Sequence, residues 1–246
     1  MSDAGWALVT GAARRIGRAL ALAAARAGYD VIVHHRASAD DAAQTVREIQ
    51  ALGRQAQAAA VDLTLSDPAA LLAAAPGPVT LLVNCASTFR DDRIDTLDRD
   101  GLTGAMTVNL IAPVLLAQAF ARGLPAGRTG LIVNIVDQRV WRLTPQFFSY
   151  TLAKAALWTA TQTLAQALAP TIRVNAIGPG PTLASVHQAP AQFDAEAAAV
   201  PLGHGPTPDQ IGKALAYLID APSVTGQMIA VDGGQHLAWK TPDVIG

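Results

Sequence analysis

Hydrophobic residues along this chain fall into short runs, and these runs alternate with alanine-rich stretches of helical periodicity. A short apolar run between turn residues indicates a buried strand, and the stretches between the runs indicate helices of about ten to twenty residues. This alternation predicts a parallel sheet covered by helices. We predict strands at 6–10, 30–35, 55–61, 80–84, 130–136, 171–177 and 227–231. We predict helices at 15–27, 39–52, 68–75, 102–122, 147–169 and 208–220.

One segment breaks the alternation. Residues 178–206 are rich in glycine and proline and have only a weak helical pattern, at 193–199. A long irregular loop after a sheet strand commonly carries functional residues. We therefore predict that 178–206 is the substrate loop of a single domain that covers residues 1–246.

Composition fits one globular domain and disfavours several classes of partner. The 246 residues are 51% hydrophobic and 15% charged, so a core can form without disulfides or metals. Cys85 is the single cysteine, which excludes an internal disulfide. There are 18 basic and 19 acidic side chains, with a net charge of -1 and no basic run. We expect no nucleic acid and no anionic membrane as a partner.

Two uncharged stretches, 105–121 and 155–172, approach the ~20 residues that a membrane-spanning helix needs. They contain prolines and amides such as Pro113 and Gln162, so we expect buried helices of a soluble oligomer instead. Residues 1–5 lack the basic and apolar parts of a signal peptide. We expect a cytoplasmic protein.

Several residues with suggestive chemistry have simpler explanations. The histidines lack metal-ligand spacing, so no metal site is expected. Cys85 ends a predicted buried strand, which favours a core or site-wall position over a nucleophile. Phe147 and Phe148 can line a substrate pocket or pack in the core, and the sequence favours neither.

The first candidate site is the turn from Thr10 to Gly17, which follows a predicted strand and opens a helix. Doubly wound folds bind a dinucleotide pyrophosphate here, because the free N–H groups and positive end of the helix attract an anion. Only two of the three expected glycines, Gly11 and Gly17, are present. An ordinary tight turn therefore remains an alternative at this point.

Tyr150 and Lys154 form the second candidate site. Four residues apart on a helix, their side chains share a face, so the ammonium can stand beside the phenol. A nearby cation lowers the pKa of a tyrosine and makes its hydroxyl a usable general acid. A chance surface pair is the alternative. Position favours catalysis, because a predicted strand ends just upstream and Asp137 lies thirteen residues before Tyr150.

These motifs and several others occur in an order that resembles the short-chain dehydrogenases/reductases over nearly the whole chain. The matching pieces are Thr10-Gly11 to Gly17, Asp62-Leu63, Asn84-Cys85-Ala86-Ser87, Asn109 with Pro113, Tyr150 with Lys154, Asn175 to Gly180, and Thr225-Gly226 with Val231-Asp232-Gly233-Gly234. The resemblance implies an α/β Rossmann fold, with a doubly wound parallel sheet of seven strands in the order 3-2-1-4-5-6-7 and helices on both faces. It also implies a nicotinamide cofactor and a homotetramer in which the helices at 102–122 and 147–169 pair across two-fold axes.

The resemblance assigns a role to three residues: Tyr150 donates a proton, Lys154 holds the nicotinamide ribose, and Asn109 joins a proton relay. Independently, Pro113 has no N–H for the carbonyl of Asn109, which leaves that carbonyl free to hold a water. A packing kink is the alternative. The residues expected to bind the cofactor are Gly11, Arg14, Arg15, Ile16, Gly17, His35, Arg36, Ser38, Asp62, Leu63, Asn84, Ala86, Ser87, Tyr150, Lys154, Pro179, Gly180 and Thr182.

The end of the second predicted strand bears on the choice of cofactor. An acidic residue there would bind the ribose 2'-hydroxyl of NAD, whereas this chain has HHRAS at 34–38. Arg36, with Arg14 or His35 and Ser38 nearby, can hold a 2'-phosphate by charge-assisted hydrogen bonds. The expected cofactor is therefore NADPH/NADP.

Three departures from the common family pattern resemble the pteridine reductase branch, which includes bacterial dihydromonapterin reductases. Arg15 stands at the middle glycine of the cofactor turn, Asp137 replaces the usual serine, and residues 84–89 read Asn-Cys-Ala-Ser-Thr-Phe. By this resemblance Arg15 contacts substrate and phosphate, and Ser87 contacts cofactor and pterin. Phe89 would stack on the pterin ring.

The chemistry of Asp137 bears on the same question. A carboxylate repels a ketone oxygen, whereas the usual serine donates to it. A pterin has ring and amino N–H groups that a carboxylate can accept. Burial could instead raise the pKa of Asp137 and keep it a donor. The expected catalytic residues are Asp137, Tyr150, Lys154 and Asn109, and the expected substrate contacts are Arg15, Ser87, Phe89, Asp137 and Tyr150.

Three functions remain open. The first is an NADPH-dependent reductase of a pterin or dihydropterin, and the second is an NADPH-dependent carbonyl or 3-oxoacyl reductase of the same fold. The third is a catalytically silent NADP-binding regulatory protein. The joint presence of Asn109, Tyr150 and Lys154 disfavours this third function.

Overall fold

A computed structural model of the protein describes residues 4–185 and 188–239. Its strands form one seven-stranded sheet in the order β3-β2-β1-β4-β5-β6-β7, and every neighbouring pair is parallel. The predicted fold class is therefore confirmed. The strands are β1 (Trp6–Val9), β2 (Asp30–His35), β3 (Ala56–Ala60), β4 (Val79–Asn84), β5 (Gly130–Ile135), β6 (Ile172–Pro179) and β7 (Met228–Val231).

The helices lie close to the predicted positions, with three differences. The structure has α1 (Arg15–Arg26), α2 (Ala39–Ala51), α3 (Ala70–Ala73), α4 (Arg99–Met106), α5 (Ala112–Gly123), α6 (Phe148–Leu168), α7 (Pro190–Ala198) and α8 (Pro208–Asp220). The predicted helix at 68–75 is shorter, and the weak helix at 193–199 begins earlier, at the proline that suits a helix N-terminus. The predicted single domain and substrate loop extend into residues 1–3, 186–187 and 240–246, which lie outside the described residues.

The third difference concerns the predicted helix at 102–122. The prediction of one regular helix there is wrong. A π-helical turn at Thr107–Ile111 separates α4 from α5. Pro113 explains the interruption, because it cannot donate to the carbonyl four residues before it. Such turns are frequent at functional sites, and this one contains Asn109.

The continuous helical stretch Arg99–Gly123 is 25 residues long and apolar enough to cross a membrane, with a mean hydropathy of 1.6 in its most apolar window. Helices in protein cores pass the same test, and 44% of this window is buried in the structure. α5 packs against β4 and α6. The expectation that these apolar helices are not membrane spans stays a prediction.

Each strand sends alternate side chains to opposite faces of the sheet, which produces two hydrophobic layers. On β1, Ala7 and Val9 join the layer beneath α1 and α8, whereas Trp6 and Leu8 join the layer beneath α5. Helices therefore cover both faces of the sheet, as predicted. This arrangement leaves the carboxyl edge of the strands open for ligands.

The chain changes its direction of winding at β1, which pairs with β2 on one side and β4 on the other. Loops that follow these strands diverge and leave a crevice, the usual ligand site of open α/β sheets. Thr10 links the two loops, since its Oγ1 accepts hydrogen bonds from the N–H groups of Cys85, at 2.9 Å, and Ala86, at 3.0 Å.

A buried polar chain attaches α6 to the centre of the sheet. Asn84 Nδ2 donates to Asn134 Oδ1 at 2.8 Å, and Asn134 Nδ2 donates to Thr161 Oγ1 at 2.9 Å. All three side chains are buried. The side chain of Asn84 thus faces the core, so the predicted cofactor contact at this position would have to come from its backbone.

Candidate active site

The turn after β1 has a shape that only glycine permits at two positions. Gly11 has a φ of +67°, and a Cβ there would lie 2.9 Å from the Cα of Ala86. A Cβ on Gly17 would lie 2.0 Å from the carbonyl oxygen of Gly11. The two remaining glycines of the motif are therefore required by close packing of the turn against the start of α1.

His34 fixes the same turn, a role that the sequence analysis missed. Its Nδ1 accepts a hydrogen bond from the N–H of Gly11 at 3.1 Å, and its Nε2 lies 3.0 Å from the carbonyl oxygen of Val61. This pairing requires a neutral ring with its proton on Nε2. Burial lowers the pKa of His34 and favours that neutral form. The available signal was a histidine that directly follows the apolar run Val31–Val33 of β2.

Arg15 connects the turn to the predicted substrate loop. Its backbone has a φ of +56°, a left-handed conformation that suits the glycine usual at this position. Its guanidinium donates to the carbonyl oxygens of Leu183, at 3.2 Å, and Ala184, at 2.9 Å. The side chain therefore extends from the candidate phosphate turn toward the candidate substrate region, as the sequence analysis expected.

The N-terminus of α1 fits a dinucleotide phosphate. Its N-cap residue, Arg14, makes no side-chain capping bond, and its first turn contains no acidic residue. At the end of β2, His35 is buried and its Nδ1 has no hydrogen-bond partner among the described residues. Arg36 is exposed. The free N–H groups at the start of α1 and the cation Arg36 at the end of β2 suit an anion. An acidic residue at the start of α1 or at the end of β2 would repel an anion.

Three other predicted cofactor residues, Arg14, Ser38 and Asp62, make few contacts or only local ones. Arg14 is exposed and lies 4.0 Å from Asp41, and Ser38 makes no side-chain capping bond at α2. Asp62 accepts two hydrogen bonds from Thr64, which lower the pKa of its carboxyl group.

The remaining predicted cofactor positions lie in the core or at the start of the substrate loop. Leu63 packs in the core. Gly180 donates to the carbonyl of Val231 at 3.0 Å, and Thr182 Oγ1 donates back to the carbonyl of Gly180 at 3.0 Å. These bonds hold the loop where it leaves the last residue of β6, Pro179.

Asp137, Tyr150 and Lys154 come together at the carboxyl end of β5. Tyr150 Oη donates to Asp137 Oδ2 at 3.0 Å, and the N–H of Arg139 donates to Asp137 Oδ1 at 2.8 Å. Lys154 Nζ lies 5.6 Å from the centre of the Tyr150 ring and donates to the carbonyl of Ile135 at 2.7 Å. The predicted donor and cation thus share a helix face beside the carboxylate.

Burial controls the protonation of these three groups. Burial raises the pKa of Asp137, and burial with the adjacent Asp137 carboxylate raises the pKa of Tyr150 well above its usual value. The expectation that Lys154 lowers the pKa of Tyr150 is wrong for this arrangement, because burial and the Asp137 carboxylate raise it, while the Lys154 ammonium donates to the Ile135 carbonyl. Although burial raises the pKa of Asp137, both of its carboxyl oxygens accept hydrogen bonds, from Tyr150 and from the N–H of Arg139.

Asn109 is fully buried and binds the segment that follows β4. Its Oδ1 accepts from Ser87 Oγ at 2.7 Å and from the N–H of Thr88 at 3.3 Å, and its Nδ2 donates to the carbonyl of Thr88 at 3.0 Å. The side chain therefore fixes a site loop. A relay through the backbone carbonyl stays a prediction.

An aromatic stack borders Tyr150. The rings of Phe89 and Phe147 are stacked, with centres 4.1 Å apart and an angle of 13° between planes. Tyr150 meets Phe89 edge to face at 4.7 Å, and Arg139 lies 5.3 Å from the centre of the Phe147 ring. Phe147 is thus a site residue. It already covers one face of Phe89, so a flat ligand has at most the other face.

Comparison with known proteins identifies the family of the chain. The family model described as enoyl-(acyl carrier protein) reductase matches residues 11–236, and the chain belongs to this family of short-chain dehydrogenases/reductases. The resemblance drawn from sequence motifs is therefore confirmed at the level of the family, and the protein is an oxidoreductase.

Individual relatives give a finer comparison. The chain is 47% identical, with a TM-score of 0.95, to FolM alternative dihydrofolate reductase 1 from Brucella canis in complex with NADP, over 100% of this chain and 99% of that one. It is 35% identical to an uncharacterized oxidoreductase of Mycobacterium tuberculosis over 93% of this chain and 90% of that protein. It is 30% identical to the 3-oxoacyl-(acyl-carrier-protein) reductase of Synechocystis over 93% of this chain and 95% of that protein.

The buried Lys154 makes the stability of the protein depend on pH. Burial lowers its pKa from 10.5 to about 8, so between these values the unfolded chain binds more protons and stability rises with pH. Lys154→Met removes this group. The quantity to compare is the unfolding free energy of the wild type minus that of the variant. We expect this difference to rise by about 1–2 kcal/mol as the pH increases from 8 to about 9.5.

Urea unfolding at several pH values measures this difference. Lys213→Met is the control, because Lys213 is exposed on α8 and its removal should change stability little. A difference between wild type and Lys154→Met that does not change with pH would contradict the prediction.

Proposed function

We propose that the protein is an NADPH-dependent reductase of pterin or dihydropterin substrates. The observation that carries the proposal is the hydrogen bond between Tyr150 and Asp137 beside the ring of Phe89. This arrangement combines a proton donor, a carboxylate and an aromatic face. The likeness to the Brucella FolM proteins supports the same assignment.

When bound, NADPH supplies a hydride from its nicotinamide. We propose that the turn at Gly11–Gly17, His35 and Arg36 hold the phosphates of the cofactor, and that Lys154 leaves the Ile135 carbonyl to bind the ribose. The uncapped N-terminus of α1 adds attraction for the pyrophosphate. NADP is present in the structure of the Brucella canis protein, which supports this choice.

Tyr150 supplies the proton that balances the hydride. Reduction of a substrate C=N bond adds hydride to carbon and a proton to nitrogen, and the phenol of Tyr150, near the start of α6, is the donor of this proton. Asp137 accepts an N–H of the substrate, which orients the ring. The raised pKa of Asp137 also brings protonation and deprotonation of its carboxyl group closer to working pH.

A carbonyl or 3-oxoacyl reductase is the second candidate function. The pKa of Asp137 is raised, so a protonated Asp137 can donate to a ketone oxygen as the usual serine would. The similarity to the Synechocystis 3-oxoacyl reductase is consistent with this function. The regulatory alternative has no comparable support, since Tyr150 and Lys154 share one site.

We further propose a homotetramer in the cytoplasm. Ile111, in the π-helical turn, and Leu115, on α5, are 47% and 41% exposed and line an open groove of about 800 Å³, and Leu152 is 41% exposed on α6. Burial of these side chains between copies of the chain would remove apolar surface from water. Light scattering at micromolar concentration should give the mass of four chains, whereas a monomer would contradict the proposal.

Arg36 should determine the choice of cofactor. We expect the wild type to bind NADPH at least about tenfold more tightly than NADH, because a guanidinium forms strong bonds to a 2'-phosphate. Arg36→Ala should lose most of this preference while its affinity for NADH changes little. Fluorescence titration measures both constants, with Arg26→Ala on α1 as the control. Equal affinities in the wild type would refute the prediction.

The substrate class is tested with dihydropterins, quinonoid pterins and simple carbonyls. Tyr150→Phe should reduce kcat by about 10²–10⁴-fold and leave NADPH affinity near that of the wild type. Phe89→Ala should raise KM for dihydropterins much more than for a small ketone, because only the pterin uses the ring face. Tyr217→Phe, an exposed tyrosine on α8, is the control.

Two outcomes would overturn the pterin proposal. One is a wild type that reduces no dihydropterin but reduces carbonyls, which would favour the second candidate function. The other is an equal rise in KM for both substrate classes in Phe89→Ala.

A further inference from the structure

Asp92 lies in the segment between β4 and α4, three residues after Phe89, and is 2% exposed. Its backbone carbonyl accepts from the N–H of Phe148 at 3.1 Å. Its Oδ1 accepts from the N–H of Ser149 at 3.0 Å, and its Oδ2 accepts from Ser149 Oγ at 2.5 Å. Asp92 therefore satisfies the donors of the first two residues of α6.

The start of α6 depends on these bonds because it has no local cap. The preceding residue, Phe147, has a left-handed φ of +53° and no side-chain capping bond. The first N–H groups of any helix lack partners within the helix and form its positive end. A buried carboxylate is suited to that place, and here it comes from 57 residues away in the chain.

The segment that contains Asp92 also contacts the residues on either side of Phe148 and Ser149. The Phe89 ring stacks on Phe147 and meets the ring of Tyr150. Four consecutive residues, 147–150, are thus attached to the segment 89–92. Displacement of the start of α6 would separate Phe89 from Tyr150.

We propose that Asp92 is a positioning residue, which binds the N-terminus of α6 so that the Tyr150 hydroxyl and the Phe89 ring keep one geometry. It acts through Phe148 and Ser149. The inference rests on the proposed function, in which Tyr150 donates the proton. It adds a second requirement to that function: Asp92 has to keep the Phe89 ring and the Tyr150 hydroxyl in a fixed relative position.

Three variants separate positioning from simple loss of folding. Asp92→Ala removes both carboxylate bonds, Ser149→Ala removes only the Oγ bond, and Asp92→Asn keeps an oxygen for the N–H of Ser149. We expect kcat per NADPH-binding site to fall at least about tenfold in Asp92→Ala and less in Ser149→Ala, because small displacements of a donor are costly. Asp92→Asn should recover most of this loss, and Kd for NADPH should stay within about twofold throughout.

Hydrogen exchange provides a readout that is independent of activity. Asp92→Ala should lose protection at the amide of Ser149, which donates to the Asp92 carboxylate in the wild type, more than at the amide of Phe148, whose acceptor is the Asp92 backbone carbonyl. Thr207→Ala is the matched control, because Thr207 caps α8 away from the proposed site. It should lower stability and leave kcat per binding site unchanged.

The outcomes distinguish this inference from the proposed function. If the wild type is active and Asp92→Ala has the same kcat per binding site, or Asp92→Asn is as impaired as Asp92→Ala, Asp92 has no positioning role. If the wild type reduces none of the pterins and carbonyls, the proposed function fails and the positioning role fails with it. Loss of exchange protection together with the loss and recovery of kcat supports the inference.

Discussion

A parallel sheet places the carboxyl ends of all its strands at one edge, and the functional part of this molecule depends on that constraint. Thr10 after β1, Asn84 at the end of β4 and Asp137 after β5 are far apart in sequence but arrive at adjacent points. Parallel pairing between these strands has to be correct before any site exists. The buried chain from Asn84 through Asn134 to Thr161 then sets the position of α6 over the same edge.

The three ionisable groups at this edge depend on one another. A buried lysine favours its neutral form, a buried carboxyl favours its protonated form, and a buried phenol keeps its proton. These preferences agree with the hydrogen bond that Tyr150 donates to Asp137. A ribose at Lys154 or a substrate N–H at Asp137 would change the partners of these groups, so ligand binding and protonation are coupled.

Much of the fold was predictable because its signals are local. Apolar runs gave all seven strands within a few residues, and the glycines at 11 and 17 marked the turn. Pro113 was the local signal for the helix interruption, but the prediction kept one helix at 102–122 and did not include the π-helical turn. The roles of His34 and Asp92 were not predictable, because each depends on a partner distant in sequence. Likewise, the pKa of Tyr150 depends on burial and on the adjacent Asp137 carboxylate, neither of which the four-residue spacing of Tyr150 and Lys154 determines.

The bonds from Arg15 to Leu183 and Ala184 have an evolutionary consequence. Both acceptors are backbone carbonyls, so the guanidinium recognises the path of the loop and not its side chains. Residues 183 and 184 can therefore change without loss of these bonds, provided that the backbone keeps its course. Substitutions at these two positions would change the side chains that the loop presents while the attachment between the loop and the turn stays the same. The Arg15 bonds thus separate the position of the loop from the chemistry of its surface.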